Sequence, residues 1–287
     1  FGGVGHDTFK MMNGASFVNG NLDGGGGNNT LDYSNVATSV MIDLIAFNAT
    51  NLNSVAGIRD IVGGLNNDSL TGDTGDNQIT GGPGNDQLIG LGGDDTYIFS
   101  GSNWGVDTLT EASGGGTGRD TLDFSSATVN LTFSFGSLQV TGGGNTVNML
   151  SNNFERMLGG SVTDLFNFSN VFTLAGGGSG TFIDGGTGNN TLDYSVYTTS
   201  VNVNLTNNLA TGLNNGLAGG IANIQNATGG SAGDTLIGSS QGNILIGNNG
   251  ADQITGNDGN DTLDGGIGDD TYYFAGNAWN TDTLTDV

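Results

Sequence analysis

Two stretches of the chain repeat every nine residues, and that period leaves few folds open. Residues 63–98 read GGLNNDSLT, GDTGDNQIT, GGPGNDQLI, GLGGDDTYI, and residues 229–273 read GGSAGDTLI, GSSQGNILI, GNNGADQIT, GNDGNDTLD, GGIGDDTYY. The shared form is GGxGxDxUx, where U is a large apolar residue. One such unit cannot bury its apolar residue alone, so units must stack. Gly at the early positions permits the positive φ of a tight turn and lets backbone carbonyls point at one centre. The eighth residue lies on a short strand whose alternate side chains face opposite sides, and it points inward. The inward rows are Leu70, Ile79, Leu88 and Tyr97, then Leu236, Leu245, Ile254, Leu263 and Tyr272. One strand and one turn per unit make an eighteen-residue coil, and the expected fold is an all-β solenoid of parallel strands.

Turns eighteen residues apart fall on the same side of that solenoid. Asp68 stacks on Asp86, Asn77 on Asp95, Asp234 on Asp252, Asp252 on Asp270, and Asn243 on Asp261. Strand spacing separates stacked turns by about 4.8 Å. Like charges at ~4 Å cost ~1 kcal/mol in water and more beside protein. The whole chain aggravates this, with 28 Asp and Glu against 4 Lys and Arg and a formal net charge of −24. So acidic a chain repels itself when compact unless something positive is built in. A hard cation takes six to eight oxygens at about 2.3–2.6 Å, which paired turns can offer from carboxylates and carbonyls. The candidate metal ligands are Asp68, Asn77, Asp86, Asp95, Asp234, Asn243, Asp252, Asp261 and Asp270. Asn77 and Asn243 keep an oxygen but lose a charge, so weaker sites are expected there. Asp252 has stacked nonapeptide turns on both sides and Asp234 on one, so Asp252 is expected to matter more. Asp7, Asp120 and Asp164 lie in isolated turn-like copies with unclear stacking partners. Asn29 and Asn190 are read as members of hydrogen-bonded ladders. The competing reading of every Asp is an ordinary Gly-rich turn residue bonded to local backbone.

The same charge disfavours nucleic acid, whose phosphates need clustered cations, and an anionic membrane. No apolar run is long enough to span a bilayer, so membrane insertion is not expected. With no Cys there is no disulfide framework, and an extracellular chain of this kind needs another staple, such as metal ions. Lys10, Arg59, Arg119 and Arg156 are scattered and His6 reads as a turn residue, so no catalytic cluster emerges and the chain is read as no enzyme. Trp104 and Trp279 follow the two blocks at matching places. They are read as packing plugs, with a sugar-stacking platform or protomer contact as the sharper alternative.

A longer repeat contains the short one. GGGGNNTLDYS (24–34), GGGTGRDTLDFS (114–125) and GGTGNNTLDYS (185–195) share one plan. Val40, Ile42 and Leu44 correspond to Val201, Val203 and Leu205 with period-two patterning. Apolar pairs follow at Ile58 and Ile61, Phe154 and Met157, and Ile221 and Ile224, in runs too short for a convincing helix. Leu31 maps to Leu192, a shift of 161, and Trp104 to Trp279, a shift of 175; the second copy holds one more nonapeptide. The expected organisation is irregular coils over 1–62, a first calcium roll over 63–99, irregular coils over 100–228, a second roll over 229–274, and the start of another repeat over 275–287. The chain is expected to begin and end inside a longer array. Uninterrupted, such a rod would approach about 70–80 Å.

The nonapeptide resembles the calcium-binding signature of the RTX family, and the longer units resemble repeat regions of giant bacterial adhesins, surface-layer and filament proteins. That resemblance implies a right-handed parallel β-roll or β-helix, Ca²⁺ as cofactor, type I secretion, and folding outside the cell. It points to a structural segment of a bacterial cell-surface protein, with calcium and neighbouring repeats or further copies as partners. The alternatives are the secretion and folding module of an RTX toxin or hydrolase, and a polysaccharide-binding solenoid.

Overall fold

The computed structural model describes residues 1–14, 20–111, 118–151, 153–169, 182–213, 218–274 and 281–286. These residues form short strands and turns with no helix. The backbone divides into two compact units, Phe1–Ala127 with Thr141–Phe154, and Thr128–Val140 with Glu155–Val287.

In the first unit successive strands alternate between two parallel rows. One row runs Thr8–Lys10, Thr30–Asp32, Asp60–Val62, Gln78–Thr80, Thr96–Gly101, Thr121–Ala127. The other runs Met41–Asp43, Ser69–Thr71, Gln87–Ile89, Val106–Thr110, Asn145–Met149. Leu70 pairs with Leu88 and Ile79 with Tyr97, both eighteen residues apart. The next coil is longer: Leu88 pairs with Leu109 and Tyr97 with Leu122, shifts of 21 and 25. Inserted loops absorb the difference, and the parallel pairing continues past them, with one register shift between Ile98 and Ser100.

The second unit repeats the plan. Leu165–Asn167, Thr191–Asp193, Asn226–Thr228, Ile244–Ile246, Thr262–Asp264 and Thr283–Thr285 form one parallel row. Asn202–Asn204, Thr235–Ile237, Gln253–Thr255 and Thr271–Tyr273 form another. Leu236 pairs with Ile254, Ile254 with Tyr272, and Leu245 with Leu263, again at eighteen. The chain is therefore an all-β parallel β-roll.

The apolar row of each nonapeptide makes the core. Leu70, Ile79, Leu88, Tyr97, Leu236, Leu245, Ile254 and Leu263 are buried, each contributing about 1.5–3 kcal/mol by leaving water. Tyr272 is half-buried. The longer coils fill their wider interior with aromatics: Phe133 stacks on Phe166 at 4.5 Å and Phe168 on Tyr194 at 4.3 Å. The matched segments of the long repeat fold alike. Met41–Asp43 and Asn202–Asn204 each turn back in a short antiparallel pairing, with Ile42 opposite Ala49 and Val203 opposite Ala210. Ile61 and Met157 lie on strands and Ile221 opens one, so the apolar pairs belong to β structure.

Two kinds of glycine serve the nonapeptide turns. Positions two and four carry the positive φ, as at Gly82 (93°) and Gly84 (151°); Asn248, Asn257 and even Leu91 take that conformation at position two. Position one is different, and positive φ is not its reason. A methyl group on Gly247 would fall under 3.0 Å from Asp252 Oδ2 and from the carbonyl oxygen of Gly265 one coil on. Gly63 and Gly229 have the same surroundings, and Gly238 meets Asn243 Oδ1 and the Gly256 carbonyl instead. The missing side chain leaves room for oxygens to converge.

Candidate metal centres

Each position-six aspartate is tied into a ladder by one oxygen, which accepts a backbone N–H of the coil before. The backbone N–H of Asp68 donates to Asp86 Oδ1 at 2.8 Å, and that of Asn77 to Asp95 Oδ1 at 2.8 Å. In the second block Asp234 donates to Asp252 Oδ1, Asp252 to Asp270 Oδ1, and Asn243 to Asp261 Oδ1, all at 2.7–2.8 Å. The strand that follows each turn fixes this register, so the carboxylates stack as their eighteen-residue spacing requires.

The second oxygen separates the candidates. Oδ2 of Asp86, Asp95, Asp252, Asp261 and Asp270 is buried with no hydrogen-bond partner. A buried carboxylate oxygen without donor or cation is costly. In the ion-free fold burial pushes the carboxyls of Asp86 and Asp95 up to about 7 and that of Asp252 to about 6, each partly offset by a backbone hydrogen bond. Asp261 is raised for the same reason. Asp68 and Asp234 begin their stacks and are satisfied at both oxygens. Asp68 accepts from Val40 and Gly64 N–H, and Asp234 from Val201 and Gly230 N–H. Asn77 and Asn243 are also fully engaged. Their Oδ1 accepts from Asp73 and Ser239 N–H, and their Nδ2 donates to the Arg59 and Gln225 carbonyls.

The ladders run past the nonapeptides. Asp86 N–H donates to Asp107 Oδ1, Asp95 N–H to Asp120 Oδ1, and Asp261 N–H to Asp282 Oδ1. Asp107 is fully buried with Oδ2 unpartnered, and burial lifts its carboxyl to about 8. Sequence reasoning missed Asp107 and Asp282, because the loops after the blocks break the nine-residue period; the Asp-Thr-Leu-Thr shared by 107–110 and 282–285 was the available signal. Asp164 is bonded at both oxygens to Leu131 and Gly160 N–H. Asp7 Oδ2 is buried and unpartnered. Asn29 and Asn190 bond carbonyls of neighbouring coils, Gly57 and Asn223.

The donors are all oxygens, charged and neutral, gathered where position-one glycines leave room. That chemistry fits a hard cation such as Ca²⁺ and not a thiolate- or imidazole-seeking metal. Trp104 is 2% exposed, packed edge-on against Phe99 and Phe124, so it is a plug with no face open to a sugar. Trp279 lies outside the described residues. His6 is exposed and bonds Asn28 through Nδ1.

Parallel coils with oxygen-lined, carboxylate-bearing turns define a β-roll whose turns suit a hard cation. Residues 62–97, 228–255 and 237–272 match the family model of the RTX calcium-binding nonapeptide repeat (4 copies). The two blocks thus match a calcium-binding repeat that is typical of secreted bacterial proteins. No curated protein matches the chain. No helix among the described residues is long and apolar enough to cross a membrane.

Proposed function

We propose that the chain is a calcium-stiffened structural repeat of a bacterial cell-surface protein, of the adhesin, surface-layer or filament kind, with no catalytic role. The observation that carries this reading is the set of buried, unpartnered Oδ2 atoms at position six, set against glycines that a methyl group could not replace. Asp86, Asp95, Asp252, Asp261 and Asp270 are the principal ligands, joined by turn carbonyls. Asp68 and Asp234 hold their turns by hydrogen bonds and contribute less. Asn77 and Asn243 knit adjacent coils and are the weakest of the nine candidates. Stacked charge then holds the roll together only when calcium is bound, which suits a protein that folds outside the cell.

Equilibrium dialysis tests the ligand assignment. Replacing Asp86 and Asp261 together by Asn should remove bound calcium that a Ser69→Ala control retains, whereas undiminished uptake would overturn it. The building-block role predicts self-association. Light scattering of the calcium-loaded chain at micromolar concentration should show species larger than a monomer, and a strict monomer counts against that role.

A further inference from the structure

The last nonapeptide of the first block ends beside a residue that no repeat motif contains. Glu111 follows the strand Val106–Thr110, in the place where a nonapeptide would carry its first glycine. Its side chain is buried, 4% exposed. It turns toward Gly90, the position-one glycine of the coil before, and Tyr97 donates its hydroxyl hydrogen to Glu111 Oε1. Asp95 Oδ2, buried and without a partner, faces the same spot. A methyl group on Gly90 would lie under 3.0 Å from Asp95 Oδ2, Glu111 Oε1 and the Tyr97 hydroxyl together.

Within the blocks a backbone carbonyl fills this space: Gly81 O sits against Gly63, Gly90 O against Gly72, and Gly265 O against Gly247. Beside Gly90 a carboxylate oxygen takes the carbonyl's place. Asp120, one coil on, completes the group. One carboxylate oxygen each from Asp95, Glu111 and Asp120 lies within 4.8 Å of the others, and all three residues are buried. Two oxygens bound to one calcium at about 2.3–2.6 Å are no more than about 5 Å apart, so one ion can touch all three.

We infer that Asp95, Glu111 and Asp120, with Glu111 held by the Tyr97 hydroxyl, form a calcium clasp closing the first nonapeptide block. This rests on the reading of the turns as calcium sites and adds a site two of whose three carboxylates, Glu111 and Asp120, come from outside the nonapeptide block. Calcium affinity rises with the number of charged ligands, so the clasp binds more tightly than turns that offer a carbonyl at that place. The second copy has counterparts of three of these four residues at a shift of 175, Asp270, Tyr272 and Asp286 for Asp95, Tyr97 and Glu111, with the Tyr272 hydroxyl donating to the Thr285 carbonyl. There Asp270 Oδ2 is again buried and unpartnered beside Gly265, with the Tyr272 hydroxyl next to it.

Calcium titration of the whole chain against a chromophoric chelator tests the clasp through Glu111→Gln, which keeps the shape and an acceptor for Tyr97. The expected result is that one tight calcium equivalent is lost or weakened at least tenfold, while Glu111→Asp retains it. An isotherm for Glu111→Gln that superposes on the parent overturns the clasp and leaves the nonapeptide sites standing. A parent chain that takes up no calcium overturns the reading of the turns and the clasp with it. Should Glu111→Gln fail to fold, terbium on the parent and on Tyr97→Phe decides. The first equivalent should luminesce under tyrosine excitation in the parent and lose most of that signal in Tyr97→Phe; equal emission from both overturns the proposal.

Discussion

Asp252 and Asp234 occupy the same motif position, and their surroundings predict opposite behaviour when each is replaced by Asn. Asp252 spends one oxygen on Asp234 N–H and leaves the other buried and unpartnered. Asp234 has both oxygens satisfied, by Val201 N–H at 2.7 Å and Gly230 N–H at 2.6 Å. In Asp252→Asn the amide oxygen keeps the bond to Asp234, and the amide nitrogen replaces the orphan oxygen, so what disappears is a ligand. Each ion no longer taken up on folding lowers the slope of stability against free calcium by about 1.4 kcal/mol per decade. In Asp234→Asn a donor nitrogen faces either Val201 or Gly230 N–H, and one buried donor loses its acceptor. That costs about 1–3 kcal/mol at every calcium concentration and leaves the slope unchanged. The assay is urea unfolding, followed by circular dichroism, at several buffered calcium concentrations. Equal slopes for Asp252→Asn and the parent, or a lowered slope for Asp234→Asn, would refute the division between ligand and hydrogen-bonded carboxylates.

Three further outcomes follow from the same geometry. Burial raises the carboxyls of Asp86 and Asp95 to about 7 and Asp107 to about 8 in the ion-free fold, above their unfolded values near 3.8. The folded chain then binds more protons than the unfolded one between about pH 4 and 8, and ion-free stability falls as pH rises through that window. Circular dichroism in excess chelator should show more β structure at pH 5 than at pH 8, and the reverse order contradicts the assignment. Gly247→Ala pushes a methyl group onto Asp252 Oδ2 and Gly265 O, and should cost about 1–3 kcal/mol in urea unfolding at saturating calcium. Gly92→Ala, which meets nothing within 4 Å, should stay within about 0.5 kcal/mol in the same assay. Trp104→Ala empties a buried aromatic site and should destabilise by about 3–5 kcal/mol, with no change in retention on a glycan column.

The nine-residue period made the strands, their inward residues and their eighteen-residue register legible in advance, because a parallel coil repeats the same turn and pleat each time. Leu70 over Leu88 and Leu236 over Ile254 follow from that alone. Three features were not legible, each for a physical reason. The ladders continue through Asp107 and Asp282 because strand pairing persists across the inserted loops, where periodicity has already lapsed. The pattern explains the early glycines by positive φ and converging carbonyls without telling the positions apart; at position one the need is space for oxygens of its own turn and of the next coil, and not positive φ. The difference between Asp234 and Asp252 was expected from the number of stacked neighbours. In the structure the two differ in their own turns: Val201 N–H of the preceding coil and Gly230 N–H of its own turn satisfy Asp234, whereas Asp252 receives one donor, Asp234 N–H of the preceding coil.

Calcium dependence of folding is the central claim, since −24 formal charges and stacked, buried carboxylates favour the compact chain only with cations in place. Far-ultraviolet circular dichroism at pH 7.5, with millimolar calcium and then with excess chelator, tests it directly. The account predicts a β-rich spectrum with calcium, loss of most of that β signal on chelation, and its return when calcium is restored. The same β content in chelator as in calcium would contradict it.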